Sequence, residues 1–359
     1  MKVIITAGGT GGHIYPALAI VNKIKEQEPN SKFLYIGTTD RMEATIVPKA
    51  NIPFVGIKMK GLDRAHPLAN ISRLKMYVQA FKQAKKEIKA FDPDIVIGVG
   101  GYISAPVVYA AKKLGYKTMI HEQNSISGLS NKFLSHYADR ILVSFKETMA
   151  IYPKNKVVYT GNPRSEEIVY IPPADKKKLG LDPKKKLVII VMGSLGSMTI
   201  NKKLQQMVSA FQNKPYEVVL ITGENYYEQY QQLTIPKNVK VLPFYNDLIK
   251  LMKKADLIVT RSGASTIAEI TAIGLPAIMV PSPYVTHNHQ MKNAIALQKD
   301  GACEIISEEN FSKETLLPCI DNLLQDSKKY QTMQQALLQR GIKDSATRIY
   351  QEAKKLVNQ

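Results

Sequence analysis

Short, fully apolar runs alternate along the chain with longer stretches whose apolar positions recur every three or four residues. The first run is Val3, Ile4 and Ile5, continuous and β-branched as a strand covered on both faces of a parallel sheet must be. Residues 16–27 follow, with Ala17, Ile20, Val21 and Ile24 on one helical face and Pro16 just inside its start. The same alternation predicts a strand at 32–36, a helix at 42–50, a strand at 53–57 and a long helix at 68–91. A strand at 95–98, an apolar stretch at 105–114 and a strand at 118–121 come next. Such repeats make a doubly wound parallel sheet.

After residues 157–160 the rhythm breaks. Gly161-Asn162-Pro163-Arg164, Pro172-Pro173 and the lysine-rich residues 176–186 read as an interdomain connection. The rhythm resumes with strands at 187–192, 218–222, 239–242, 257–260 and 277–280, a helix from residue 200, and a final helix at 344–357 that packs back on the first half. The expected fold is therefore α/β, two Rossmann-like doubly wound domains with a cleft between them. Domains at 1–162 and 163–340, with the tail 341–359 returning to the first, divide the chain.

Length agrees, since 359 residues suit two domains of roughly 150 to 200 residues each. Cys303 and Cys319 have no metal-ligand or C-x-x-C spacing, and a strand beginning at residue 2 or 3 leaves no room for a leader peptide, so a cytosolic chain with reduced thiols is expected. The longest apolar runs, 105–111 and 187–192, fall far short of the roughly 20 residues that span a bilayer.

Charge changes the picture more. With 49 Lys and Arg against 30 Asp and Glu, the net charge of +19 calls for a polyanionic partner, nucleic acid or an anionic membrane face. Nucleic-acid binding would want aromatics clustered among the cations or a known module, and neither is present. Helix 68–91 carries Arg73, Lys75, Lys82, Lys85, Lys86 and Lys89 around a stripe of Ile71, Leu74, Val78, Phe81 and Ile88. The stripe by itself is expected to face the core. The cations, with Met59, Leu62, Arg64 and His66 in the preceding loop, point to anionic lipid.

Candidate chemistry sits in the loops at the carboxyl ends of the strands. Gly8-Gly9-Thr10-Gly11-Gly12-His13 lets the main chain approach a ligand and ends at a helix start, a place for an anion. It is neither a P-loop, which needs Gly-Lys-Ser/Thr where this chain has Gly12-His13-Ile14, nor G-x-G-x-x-G, which would need glycine at Ile14. Gly193-Ser194-Leu195-Gly196-Ser197 repeats the device in the second half. Within Arg261-Ser262-Gly263-Ala264-Ser265-Thr266, Gly263 and the two hydroxyl residues Ser265 and Thr266 at the helix start are a further phosphate cradle, and Glu269, one turn into that helix, is placed to accept two ribose hydroxyls. His287 and His289 have no carboxylate or cysteine near them, which argues against zinc.

These loops, with Gly100-Gly101-Tyr102, His121-Glu122-Gln123-Asn124, Gly161-Asn162-Pro163-Arg164 and His289-Gln290 before Asn293-Ala294, resemble those of the GT-B glycosyltransferases, and closely the MurG family. That family transfers N-acetylglucosamine from UDP-GlcNAc to lipid I, undecaprenyl-linked muramyl-pentapeptide, giving lipid II. The resemblance runs from residue 8 to residue 294. It implies a first domain for the acceptor and the membrane and a second for UDP-GlcNAc. Ser194 and the Ala264-Ser265-Thr266 helix start would hold the diphosphate, Glu269 the ribose, Tyr245 the uracil through its main chain, and Gln290 beside His289 the sugar hydroxyls. Thr10, Gly11, Gly12, Tyr102, Asn124 and Arg164 would bind substrate from the other half. Met192 stands where relatives often have a further glycine.

The muramyl 4-hydroxyl must lose a proton, for which His13 is the candidate base and Glu122 the runner-up. Helix dipoles and backbone N–H groups can stabilise the leaving diphosphate without metal or cofactor. Asp92-Pro93-Asp94 precedes a strand and reads as a turn. An inverting, peripheral enzyme on the cytoplasmic face of the membrane, in company with the cell-wall and division machinery, is implied. UDP-GlcNAc 2-epimerases and diacylglycerol glycosyltransferases share much of this architecture and are the alternatives.

Overall fold

The computed structural model describes residues 1–61 and 70–359. They form two compact units, Met1–Glu166 with Asp344–Gln359, and Glu167–Lys343. Leu62, Arg64, His66 and the first two residues expected in helix 68–91 lie outside the described residues.

The first unit runs β1 (Lys2–Thr6), α1 (Gly11–Gln27), β2 (Lys32–Thr38), α2 (Glu43–Lys49), β3 (Phe54–Ile57), α3 (Asn70–Phe91), β4 (Ile95–Gly98), α4 (Ser104–Lys113), β5 (Lys117–Glu122), α5 (Leu129–Leu134), β6 (Arg140–Val143) and β7 (Val157–Tyr159), and α6 (Arg164–Tyr170) opens in it and ends in the second. Its strands are all parallel, in the order β3-β2-β1-β4-β5-β6-β7. Val3 pairs with Phe33 on one side and Ile95 on the other, so β1 is central and the order reverses between β1 and β4. Burial on both faces explains the continuous apolar run: Val3 and Ile5 join the core under α1, and Ile4 the core under α3 and α4.

Helix α1 begins at Gly11, five residues earlier than the periodicity placed it. Glycine carries no apolar pattern, so periodicity cannot mark the first turn. Pro16 consequently lies within the helix, where its missing N–H removes the bond that would have reached the carbonyl of Gly12. Helix α3 corrects a second expectation. It packs through Ala80 and Ala84, small residues that admit α4 closely, and through Ile88, which is buried as expected, with Phe81 against the core; Ile71 is 74% and Leu74 64% exposed, with Val78 exposed as well.

The second unit contains β8 (Lys186–Val191), α7 (Met198–Met207), β9 (Tyr216–Ile221), α8 (Glu224–Tyr227), β10 (Val239–Leu242), α9 (Leu248–Met252), β11 (Leu257–Thr260), α10 (Ala264–Ile273), β12 (Ala277–Met279), α11 (His289–Gln298), β13 (Glu304–Ile305), α12 (Lys313–Gln325) and α13 (Ser327–Arg340). Its sheet is parallel in the order β10-β9-β8-β11-β12-β13 and reverses between β8 and β11. The chain closes with α14 (Ser345–Val357), whose Ile349, Tyr350, Ala353 and Leu356 enter the α1 side of the first unit's core. Thr347 N and Oγ1 donate to Glu166, 2.8 and 2.7 Å, and Ser345 Oγ donates to Asn162 O, 2.6 Å. Both sheets are thus doubly wound, as expected. Among the described residues no helix is long and apolar enough to cross a membrane.

Candidate active site

In each unit the strand order reverses beside a glycine loop, the crevice where open α/β sheets take ligands. In the first unit the loops after β1 and β4 lie against each other: Gly8 N donates to Gly100 O, 3.3 Å. A Cβ on Gly101, whose φ is +83°, would stand 2.4 Å from Gly8 O, so no other residue fits there without moving both loops.

Thr10 is the N-cap of α1, yet its side chain makes no capping bond. His13 N and Ile14 N both turn back to Thr10 O, at 3.1 and 3.2 Å. The first amides of α1, at Gly11 and Gly12, get no side-chain cap from Thr10 and lie at the positive end of a 17-residue helix. His13 Nδ1 lies 3.1 Å from Gly8 O. A carbonyl only accepts, so Nδ1 carries the hydrogen and Nε2 is the acceptor of the neutral ring. Gly100 makes room for that edge, since a Cβ there would lie 2.9 Å from Nε2.

Arg164 reaches the same helix start through Tyr15. Its guanidinium lies over the Tyr15 ring, 5.8 Å from the centroid, and a Cβ on Gly11 would meet that ring at 3.0 Å. Tyr102 follows the β4 glycines and bonds Arg41, whose pKa it raises.

The loop after β5 is built differently. Glu122 is buried, and its two oxygens accept from Asn124 N and Nδ2, 3.1 and 3.3 Å, and from Gly128 N and Asn131 Nδ2, both 2.9 Å. Four donors make it the anchor of its loop and of Asn124, a poor position from which to take a substrate proton. His121 Nε2–H donates to Gly161 O and its Nδ1 accepts from Gln123 Nε2, both 3.0 Å. Burial pushes its pKa down to about 4 against the Gly161 bond, with a smaller contribution in the same direction from neighbouring His13 whenever that ring is protonated. It is a neutral spacer beside His13.

In the second unit, Gly193, Ser194 and Leu195 stand exposed after β8, and Ser197 caps α7 by accepting from Ile200 N, 3.5 Å. The loop is clamped from behind. Arg261 at the end of β11 donates to Ser197 Oγ at 2.8 Å, to Val280 O at 3.0 Å and to buried Glu308 at 2.5 Å. Helix α10 starts at Ala264 with no side-chain cap, and Ser265 Oγ is buried there without a partner. A ten-residue helix start with an orphan hydroxyl fits an anionic ligand. Thr266 lies in the same half-buried first turn, and Glu269 one turn on. Gln290 belongs to this group: its Oε1 accepts from Ser282 N and its main-chain O from Ser262 Oγ, both 2.8 Å. His289 donates from Nδ1 to Thr286 O, 2.8 Å. Tyr245 stands apart, on the loop between edge strand β10 and α9, which packs on α10.

Sequence reasoning assigned no role to Arg261 and missed Glu308 and Glu43. Glu43, 0% exposed, accepts from Gly9 N at 3.1 Å and from Thr38 N and Oγ1 at 3.1 and 2.6 Å. An acidic residue opening a helix reads locally as a dipole partner, and only the fold brings it to the glycine loop.

Residues 3–143 match the glycosyltransferase family 28 N-terminal domain and residues 187–349 the family 28 C-terminal domain. A Bacillus cereus protein, UDP-N-acetylglucosamine--N-acetylmuramyl-(pentapeptide) pyrophosphoryl-undecaprenol N-acetylglucosamine transferase 1, is 44% identical over 99% of this chain and 100% of its own. The crystal structure of Acinetobacter baumannii MurG superposes with a TM-score of 0.79 at 28% identity, covering 99% of each chain. A putative UDP-N-acetylglucosamine 2-epimerase from Listeria monocytogenes, 16% identical, covers 98% of this chain and 95% of its own with a TM-score of 0.73, a likeness of fold alone.

Proposed function

The chain belongs to glycosyltransferase family 28, and from that premise we propose that it transfers N-acetylglucosamine from UDP-GlcNAc to the muramyl 4-hydroxyl of lipid I, forming lipid II for peptidoglycan. The observation that carries the mechanism is His13, held through Nδ1 by Gly8 O so that Nε2 is the acceptor, beside an uncapped helix start.

In this reading the first unit takes the acceptor and the second the donor. His13 Nε2 accepts the 4-hydroxyl proton as that oxygen attacks C1 of the donor sugar. The bond from C1 to the diphosphate oxygen breaks, and UDP leaves with the electron pair. A single displacement inverts the anomeric centre. Ser194 and the start of α10, with Ser265 and Thr266, take up the leaving charge by N–H and O–H donation, so no divalent ion is required. Glu269 accepts the ribose hydroxyls, Tyr245 lies by the uracil, and Gln290 with His289 meets the sugar. Thr10, Gly11, Gly12, Tyr102, Asn124 and Arg164 serve the acceptor side.

The test is transfer of labelled N-acetylglucosamine to a soluble lipid I analogue with EDTA present. Product is expected. Its absence, with UDP-GlcNAc still bound, would overturn the transfer reading in favour of an epimerase or a glycolipid transferase.

The acceptor is a lipid, and the proposal places the enzyme on the cytoplasmic face of the membrane, next to other cell-wall and division proteins. Support comes from one face of the first unit. Phe81 of α3, Tyr109 of α4 and Phe133 of α5 pack ring to ring, tilted and edge-on, with centroids 5.5 and 5.4 Å apart, which ties together helices that expose Ile71, Leu74, Val78, Leu129 and Phe133. Lys85 lies over the Phe81 ring and Lys113 over that of Tyr109. Apolar side chains among cations suit an anionic interface. Sedimentation is expected to show binding to anionic vesicles and little to neutral ones, with charge reversal at Lys75, Lys82 and Lys85 weakening it at least tenfold, about 1 kcal/mol being carried by each surface cation. Equal binding to both vesicle types would refute the electrostatic part.

A further inference from the structure

The Gly8–Gly9 peptide is bonded at both ends. Its N–H donates to Glu43 Oε2, 3.1 Å, and its C=O accepts from His13 Nδ1, 3.1 Å. We infer that Glu43 is a positioning residue for the transfer, acting on His13 through this one peptide unit as a carboxylate–peptide–imidazole relay. The inference rests on the reading of His13 as base.

Three features show a carboxylate built into this place. Every contact brings a hydrogen to it: Gly9 N, Thr38 N and Thr38 Oγ1. Space is cleared for it on both sides, since a Cβ on Gly8 would lie 2.3 Å from its Oε1 and one on Gly37 2.7 Å from its Cγ. And among the described residues no cation is paired with it within salt-bridge distance: exposed Arg41 acts on it by Coulomb attraction, and the groups in contact with the carboxylate are N–H and O–H dipoles. A buried charge of this kind costs several kcal/mol to keep, a cost that a purely structural role could avoid with an amide or an apolar side chain.

The chemistry follows from the order of the groups. The carboxylate polarises the peptide, which makes Gly8 O a stronger acceptor. A stronger acceptor holds Nδ1–H and with it the tautomer whose Nε2 is basic. When Nε2 takes the acceptor proton, the positive charge is stabilised by the same chain of dipoles ending at the carboxylate. No proton travels along the relay; Glu43 and the peptide keep their atoms throughout.

The other titratable groups around His13 do not substitute for it. His121 on β5 is neutral, its pKa held at about 4 by burial. Tyr35 on β2, whose hydroxyl donates to Ala7 O at 3.0 Å, keeps its proton because burial and the Glu43 charge push its pKa up. Arg41, before α2, is exposed and bonded to Tyr102, and the Arg164 guanidinium rests on Tyr15. Glu43 is the buried anion of the group.

The experiment is 15N NMR of the histidine rings in the full-length chain, His13 being assigned by its loss in His13→Asn, together with the pH profile of kcat. Glu43→Gln removes the charge, and an amide cannot accept from both Gly9 and Thr38. In Glu43→Gln the His13 midpoint is expected to fall by roughly one pH unit, the order that one buried charge exerts across a peptide, with a smaller Nδ1–H population and kcat about tenfold lower. Glu43→Asp keeps the charge but withdraws it by a methylene; it is the variant to use if the glutamine does not fold, and a smaller shift of the same sign is expected. Thr38→Val leaves the Gly9 bond in place and is expected to leave the midpoint where it is. A wild-type midpoint and tautomer in folded Glu43→Gln, or in Glu43→Asp should that be the one that folds, would overturn the relay. Because the ring is observed directly, the relay is decided separately from the assignment of the base, which fails if His13→Ala or His13→Asn turns over normally.

Discussion

His13→Ala is expected to lower turnover 10²- to 10⁴-fold, the range that a positioned general base contributes, while the affinity for UDP-GlcNAc stays at its wild-type value. The two readouts separate because the donor groups assigned above lie in the second unit and His13 at the start of α1 in the first. His13→Asn sharpens the result. Its amide can still donate to Gly8 O but cannot take a proton from a hydroxyl, so it should be as slow as the alanine variant. An asparagine variant near wild-type rate would mean that the side chain only holds the loop. An alanine variant at full rate would exclude His13 as base altogether. Rates are compared from pH 6.5 upward, for a reason that lies in His121. Its ordinary pKa of 6.5 falls to about 4 in the fold, so between those values the unfolded chain binds a proton that the folded chain refuses. Stability then rises with pH across that window and is lost on acidification through it, which would confound any acid-side loss of rate.

The parts of this site that were readable beforehand are those with a local cause. Strands buried on both faces must be apolar throughout, and so β1, β4 and β8 appear as short continuous runs. Glycines cluster where loops meet at strand ends, and so residues 8–13, 100–101 and 193–196 could be marked without a structure. Glu304–Ile305 is too short to show a period. Amphipathic spacing identifies a face and not what covers it, so it puts Ile71 and Leu74 on the core side; here the covered face is Ala80, Ala84 and Ile88, in the second half of the helix. Glu43 and Gly9 are 34 residues apart, and Arg261 and Glu308 are 47 apart. Nothing local announces either pairing, since Glu43 opens a helix, Arg261 follows a strand, and Gly9 and Glu308 lie in loops where any partner is possible. The groups that touch substrate in the proposal were therefore largely named from sequence, while those that hold them in place were not.

Arg261→Met tests that second class. The Arg261 and Glu308 side chains are only 10% and 6% exposed, so removing the guanidinium strands a buried carboxylate that already has one oxygen, Oε1, without a partner. The expected cost is about 3–5 kcal/mol, seen as a fall of roughly 6–20 °C in the unfolding midpoint of the second unit. Affinity for UDP-GlcNAc should fall as well, because Ser197 Oγ loses the bond that ties the loop after β8 to β11. Stability and binding are then separated by Arg261→Met combined with Glu308→Leu. Replacing both members of a buried ion pair by apolar side chains is often neutral or stabilising, so the double variant should recover most of the midpoint while binding stays weak. Thermal unfolding and calorimetric titration with UDP-GlcNAc read the two effects. A wild-type midpoint in Arg261→Met would show that the pair does not hold this unit together. Wild-type donor affinity in the double variant would confine Arg261 to stability and leave the loop of Ser194 to be ordered by the cap of α7 alone.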